Sequence, residues 1–102
     1  LHAVLVYKSH VVWIVDGTDS TFIPIVVDGS NNALGVAGSG DALTGIIASF
    51  LSRGYSPIQS ALNGVLIHQR AGVLARESSR WFDVELLITH IGLAYKEREE
   101  KV

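Results

Sequence analysis

Ala37-Gly38-Ser39-Gly40-Asp41-Ala42-Leu43-Thr44-Gly45-Ile46-Ile47-Ala48 is the stretch on which the fold turns. A loop of small and amide residues, running from Gly29 to Gly40, passes here into an apolar helical pattern. Leu43, Ile46, Ile47, Phe50 and Leu51 leave that pattern apolar nearly all round, which predicts a buried helix over Asp41 to Arg53, closed by Gly54 in the left-handed C′ position. Upstream, the runs Ala3–Tyr7, Val11–Val15 and Phe22–Val27 are short and rich in β-branched residues, and read as three strands. Lys8-Ser9-His10 is short enough to close a hairpin between the first two. Asp16-Gly17-Thr18-Asp19-Ser20 makes a second turn, with Asp-Gly supplying positive φ, so strands two and three pair antiparallel. Pro24 lacks an amide donor and places the third strand at an edge or a bulge.

Downstream, Ser56-Pro57-Ile58-Gln59 is a helix start: Ser56 caps, Pro57 takes the first helical position and Gln59 completes a capping box. Helical spacing then persists to about Glu77. A third helix begins near Asp83 and carries Leu86, Leu87, Ile91, Ala94 and Tyr95 on one face, ahead of the mixed-sign tail Lys96 to Lys101. Strands followed by helices imply α+β, or the end of a larger α/β sheet.

Composition excludes several classes. With 102 residues, 48% hydrophobic and 18% charged, the chain suits one domain with a buried core and not a disordered segment. Eight basic against ten acidic side chains give a formal charge of −2, without the basic footprint of a nucleic-acid binder. Absence of cysteine removes disulfides, thiolate metal sites and a Cys nucleophile, and fits a reducing cytosol. The longest apolar stretch, Ala42 to Leu51, falls short of the roughly 20 residues of a membrane span, and no basic segment opens a secretory signal. Leu1 opens the chain and Met is absent, which implies a processed start or a piece of something longer. His2, His10 and His90 are too scattered for zinc. Asp16, Asp19 and Asp28 suit turns, and Trp13 and Trp81 suit core, rim or subunit contact.

A glycine-rich loop that opens an apolar helix aims unpaired backbone amides and the positive end of the helix dipole at its contents, a geometry that binds phosphate. No Lys follows the glycines, so this is not a Walker loop. The order Gly35-x-x-Gly38-x-Gly40 reverses the dinucleotide fingerprint. Ala37 stands where a nucleophile elbow around Ser39 needs Gly. Asp41 at the helix start is within reach of a hydroxyl brought to the phosphate, a base beside an anion hole; the plainer alternative makes it only the helix cap.

Gly38-Ser39-Gly40-Asp41-Ala42-Leu43-Thr44-Gly45-Ile46-Ile47-Ala48, then Gly54-Tyr55-Ser56-Pro57, then Ala61-Leu62-Asn63-Gly64-Val65-Leu66-Ile67-His68-Gln69-Arg70-Ala71-Gly72, closely resemble the C-terminal part of the ADP/ATP-dependent NAD(P)H-hydrate dehydratases of the ribokinase-like superfamily. The resemblance covers nearly the whole chain and weakens after about Glu77. It implies an α/β fold, with residues 1–102 as the C-terminal portion of a ribokinase-like sandwich, three short strands followed by three helices. It implies a lyase of metabolite repair that restores hydrated NADH and NADPH, a phosphoryl group of ATP or ADP activating the leaving hydroxyl, with Mg2+ as cofactor, a cytoplasmic setting and a homo-oligomer, commonly a tetramer. Asp41 matches the family's substrate-contacting base. Gly38, Ser39 and Gly40 would offer amides to the phosphoryl group. Lys8 matches the lysine that opens the family's other nucleotide segment, followed by Ser9, His10, Val11 and Val12, which depart from its Gly and Thr and leave backbone contacts. His68 matches a family histidine that would line the adenine side; a core or interface histidine is the alternative. No metal ligand is implied. A ribokinase-like kinase of a small alcohol or vitamin, and a non-catalytic fragment, are the competing functions.

Overall fold

A computed structural model of the chain describes residues 3–8, 11–28, 38–78 and 83–100. Three strands, β1 (Val4–Lys8), β2 (Val11–Asp16) and β3 (Ile25–Asp28), precede three helices, α1 (Ser39–Ser52), α2 (Pro57–Ser78) and α3 (Val84–Glu100). The sheet has the order β1-β2-β3 and both pairings are antiparallel. Val6, Ile14 and Ile25 share one row, and Tyr7, Trp13 and Val26 the next, so each row alternates between the two faces of the sheet. This is the α/β arrangement, three strands followed by three helices, that the family resemblance implies.

Two expectations about the strands are corrected. Phe22, Ile23 and Pro24 lie outside β3, which starts at Ile25; the proline has no N–H for the ladder and the strand begins after it, at the sheet's edge. Gly17 does not use positive φ, which among the described residues occurs at Gly38 and Gly54 alone. The turn is held by side chains instead. The Asp16 carboxylate accepts from the amide (3.0 Å) and hydroxyl (2.5 Å) of Thr18, and Asp19 accepts likewise from the amide (2.9 Å) and hydroxyl (2.7 Å) of Thr21. The Thr21 bonds hold the Asp19 carboxyl below its usual range.

The helix ends follow their local chemistry. At the end of α1, Gly54 adopts φ 88°, its amide bonds Leu51 O at 3.1 Å and the Tyr55 amide reaches Phe50 O at 3.3 Å. That is the paired closure of a Schellman motif. Its hydrophobic contact is present too, with the Phe50 and Tyr55 rings edge-on at 5.1 Å. Ser56 and Gln59 exchange side-chain to amide bonds, both at 3.2 Å, as a capping box requires. Asp83 caps α3 through the Leu86 amide at 2.9 Å.

The core has two parts with α2 between them. Val12 and Ile14 of the sheet meet Leu43, Ala61 and Val65 of α1 and α2, while Ile46, Phe50, Ile67, Ala71, Leu87 and Ala94 join the three helices. Gly64 lets α1 and α2 approach closely: a Cβ there would lie 2.5 Å from Ile47 Cγ1. Polar ties from α2 to α3 are the Arg70–Glu97 pair at 2.7 Å, which holds the Arg70 guanidinium above its usual range, and Arg98 Nε to Asn63 Oδ1 at 2.7 Å. In place of the all-round burial expected of α1, one face (Leu43, Ile46, Phe50) is buried, while Thr44, Gly45, Ala48, Ser49 and Leu51 are exposed. No helix among the described residues is long and apolar enough to cross a membrane.

Candidate functional site

The first turn of α1 starts two residues before the sequence pattern suggests, because Ser39 and Gly40 are themselves helical. Gly38 is the N-cap, at φ 87° and ψ −9°. Only glycine takes that conformation without strain, and a Cβ at Gly38 would in addition meet Val84 Cγ2 at 3.2 Å. Asp41 is therefore not the cap. It sits at the third helical position, exposed. The first bond of the helical ladder runs from the Ala42 amide to Gly38 O at 3.1 Å, leaving the amides of Ser39, Gly40 and Asp41 outside it. With glycine as the cap, the N-cap residue offers no side-chain hydrogen bond to them.

Lys8, 32 positions away in sequence from Gly40, arrives at the same turn: a Cβ built on Gly40 would lie 3.8 Å from Lys8 Nζ. The strand end delivers a cation, the helix start delivers amides and a dipole of the same sign, and Gly40 keeps the space between them open. Asp41, the next residue of the same turn, carries an exposed carboxylate. Such an arrangement can hold an anion and take a proton from a group placed against it.

Of the other residues singled out by sequence, Val11 is half-buried in β2 and Val12 is buried in the sheet's core. The Val12 side chain is thus committed to packing. Ser9 and His10 lie outside the described residues.

His68 is 2% exposed and does not line an open surface. Its Nε2 lies 2.9 Å from Ser39 Oγ and 3.0 Å from Ser39 O. Burial lowers the imidazole pKa to about 4, the Ser39 contact opposing the shift and Lys8 adding to it. Ser39, 1% exposed, is closed to a substrate, so this Ser–His pair does not form a nucleophile. The pairing spans 29 positions and was not visible in the sequence, where the two residues belong to separate motifs.

A family model described as NAD(P)H-hydrate dehydratase matches residues 1–92. The ADP-dependent (S)-NAD(P)H-hydrate dehydratase of Xanthomonas campestris pv. campestris is 51% identical over 39 residues. That match takes in 38% of this chain and 14% of the relative's length.

Proposed function

Because the chain belongs to the NAD(P)H-hydrate dehydratase family, we propose that it serves the nucleotide-dependent dehydration of hydrated NADH and NADPH, with the turn at Gly38–Asp41 receiving the phosphoryl group that is transferred. The observation that carries this reading is the convergence of Lys8 Nζ on Gly40 at the uncapped start of α1. The name of the Xanthomonas relative supports ADP as the donor; ATP serves equally in the chemistry below.

Asp41 takes the proton of the substrate hydroxyl, whose oxygen forms a bond to the terminal phosphorus as the bond to the leaving nucleotide breaks. The exposed amides of Gly40 and Asp41, together with Lys8, stabilise the charge on the phosphoryl oxygens, the main task in such a transfer. The phosphorylated oxygen then leaves as phosphate with the C–O electron pair, and loss of a proton from the neighbouring ring carbon restores the double bond. Among the described residues, no three His, Cys, Asp or Glu side chains converge. The ligands of an accompanying Mg2+ would be phosphate oxygens and water.

The test is Asp41→Asn in the intact protein, supplied with NADH hydrate, ADP or ATP, and Mg2+. Regeneration of reduced nicotinamide, followed by its absorbance, should fall by about a hundredfold or more, the usual weight of a general base. An unchanged rate would sink the assignment of Asp41. Wild-type protein that phosphorylates a small alcohol or vitamin and leaves the hydrate untouched would show a kinase instead.

A further inference from the structure

We infer that His68 is a positioning residue, whose imidazole clamps Ser39 from behind and thereby fixes the Gly40 and Asp41 amides and the Lys8–Gly40 gap of the anion-binding turn. The inference rests on the proposed phosphoryl site. Its own support is a pair of contacts from one atom.

His68 Nε2 lies 3.0 Å from Ser39 O, which can only accept. A bare nitrogen lone pair facing a carbonyl oxygen at that distance would be repulsive, so Nε2 carries the hydrogen and donates it to the carbonyl. Ser39 Oγ, 2.9 Å from the same nitrogen, shares that hydrogen as a second acceptor. Both acceptors belong to the first helical residue after the left-handed Gly38. Ser39 is thus held by its main chain as well as its side chain, and the direction of the Gly38–Ser39–Gly40 backbone is set from α2. The ring is closed off from solvent, so its action on a ligand is indirect. Burial disfavours a cation at His68, and the nearby Lys8 adds a smaller effect in the same direction.

Three variants of the intact protein test this, with ADP binding measured by calorimetry in the presence of Mg2+ and folded fraction measured by thermal unfolding. His68→Leu removes the donor at similar volume and should weaken ADP binding about tenfold, as loss of a fixed donor does. His68→Gln places an amide N–H at a comparable reach and should recover binding to within about threefold of wild type. Ser39→Ala keeps the carbonyl bond, and its loss should be smaller than that of His68→Leu. A purely structural role would lower the melting temperature of His68→Leu while its folded fraction bound ADP as wild type does, and that result overturns the inference. So does a Gln variant that binds no better than Leu, or a Ser39→Ala loss exceeding that of His68→Leu, since the hydroxyl would then itself touch the ligand. If His68→Leu does not fold, His68→Asn, whose shorter amide falls short of Ser39, takes its place in each of these comparisons. Wild-type protein that fails to bind ADP overturns the phosphoryl-site reading and this inference with it. Wild-type binding with an unaffected His68→Leu overturns only the inference.

Discussion

Gly40 and Gly64 stand on neighbouring helices under opposite constraints. A methyl group added at Gly40 meets nothing nearer than Lys8 Nζ at 3.8 Å. Gly40→Ala should therefore leave the urea midpoint unchanged, or raise stability by up to about 1 kcal/mol through reduced chain entropy, while weakening ADP binding by filling the gap. At Gly64 the added Cβ would lie 2.5 Å from Ile47 Cγ1 and 3.4 Å from the Ile47 backbone. Overpacking there outweighs the gain in helix propensity, and Gly64→Ala should cost about 1–3 kcal/mol in the same urea experiment. His68 adds a pH dependence of known sign. Its pKa is lowered from 6.5 to about 4 in the fold, so the unfolded chain binds the extra proton between those values. The stabilisation is complete above pH 6.5 and drains away as pH falls toward 4, by on the order of 3 kcal/mol at most. Unfolding midpoints measured across that window should flatten in His68→Leu; an equally steep slope in the variant would assign the loss to other groups. At this scale sequence reasoning picked out Lys8, the Gly38–Asp41 turn and His68, each from its own motif. It did not see that Lys8 meets Gly40 or that His68 holds Ser39, because those contacts depend on how β1 and α2 are placed against α1.

Element boundaries were legible wherever the signal was local. Ser56 and Gln59 cap each other, Gly54 closes α1 with Tyr55 seated on Phe50, and Asp83 opens α3. Each device acts within six residues of chain, which is the range that sequence reading handles well. Replacing Ser56 with Ala removes the acceptor of the Gln59 amide and should cost about 1 kcal/mol, seen as a lower melting temperature, while Gln59→Ala should cost less because the Ser56 cap survives. Equal losses would mean that the two bonds act only together. The misplaced start of α1 has a physical reason. Ser and Gly are poor helix formers by propensity, yet Ser39 is anchored by His68 and Gly38 supplies the left-handed cap, so tertiary contacts draw both Ser39 and Gly40 into the helix. Arg53 is set in a comparable way at the other end, its guanidinium 4.7 Å from the Phe50 ring centre and 5.0 Å from that of Tyr95. Phe50 and Arg53 also line an apolar groove of about 590 Å³ between α1 and α3.

Across the whole molecule the surplus of apolar residues resolves into two unlike faces of one sheet. The radius of gyration, 13.5 Å, is close to the ~13 Å of a compact hundred-residue domain. Even so, Leu5, Tyr7, Trp13 and Val26 are between 41% and 58% exposed. Tyr7, Trp13 and Val26 are opposed across the three strands, so they form a continuous apolar strip. The strand sequences could not reveal this asymmetry, since VLVYK and VVWIVD are apolar on both sides, a pattern that reads as burial on both. Neighbouring positions should therefore respond in opposite ways. Ile14, fully buried against the helices, leaves a cavity when cut to Ala and should cost about 2–5 kcal/mol. Val26, on the bare side, should lose no more than about 0.5 kcal/mol as Val26→Thr in dilute solution, the ordinary range for a surface change. Urea unfolding of both variants at several protein concentrations is the measurement. A Val26→Thr cost of about 1 kcal/mol or more, growing with protein concentration, would mean that the strip is covered by another copy of the chain and that stability is shared between copies. A cost that is small and independent of concentration assigns the stability of this domain to the helix-covered face alone.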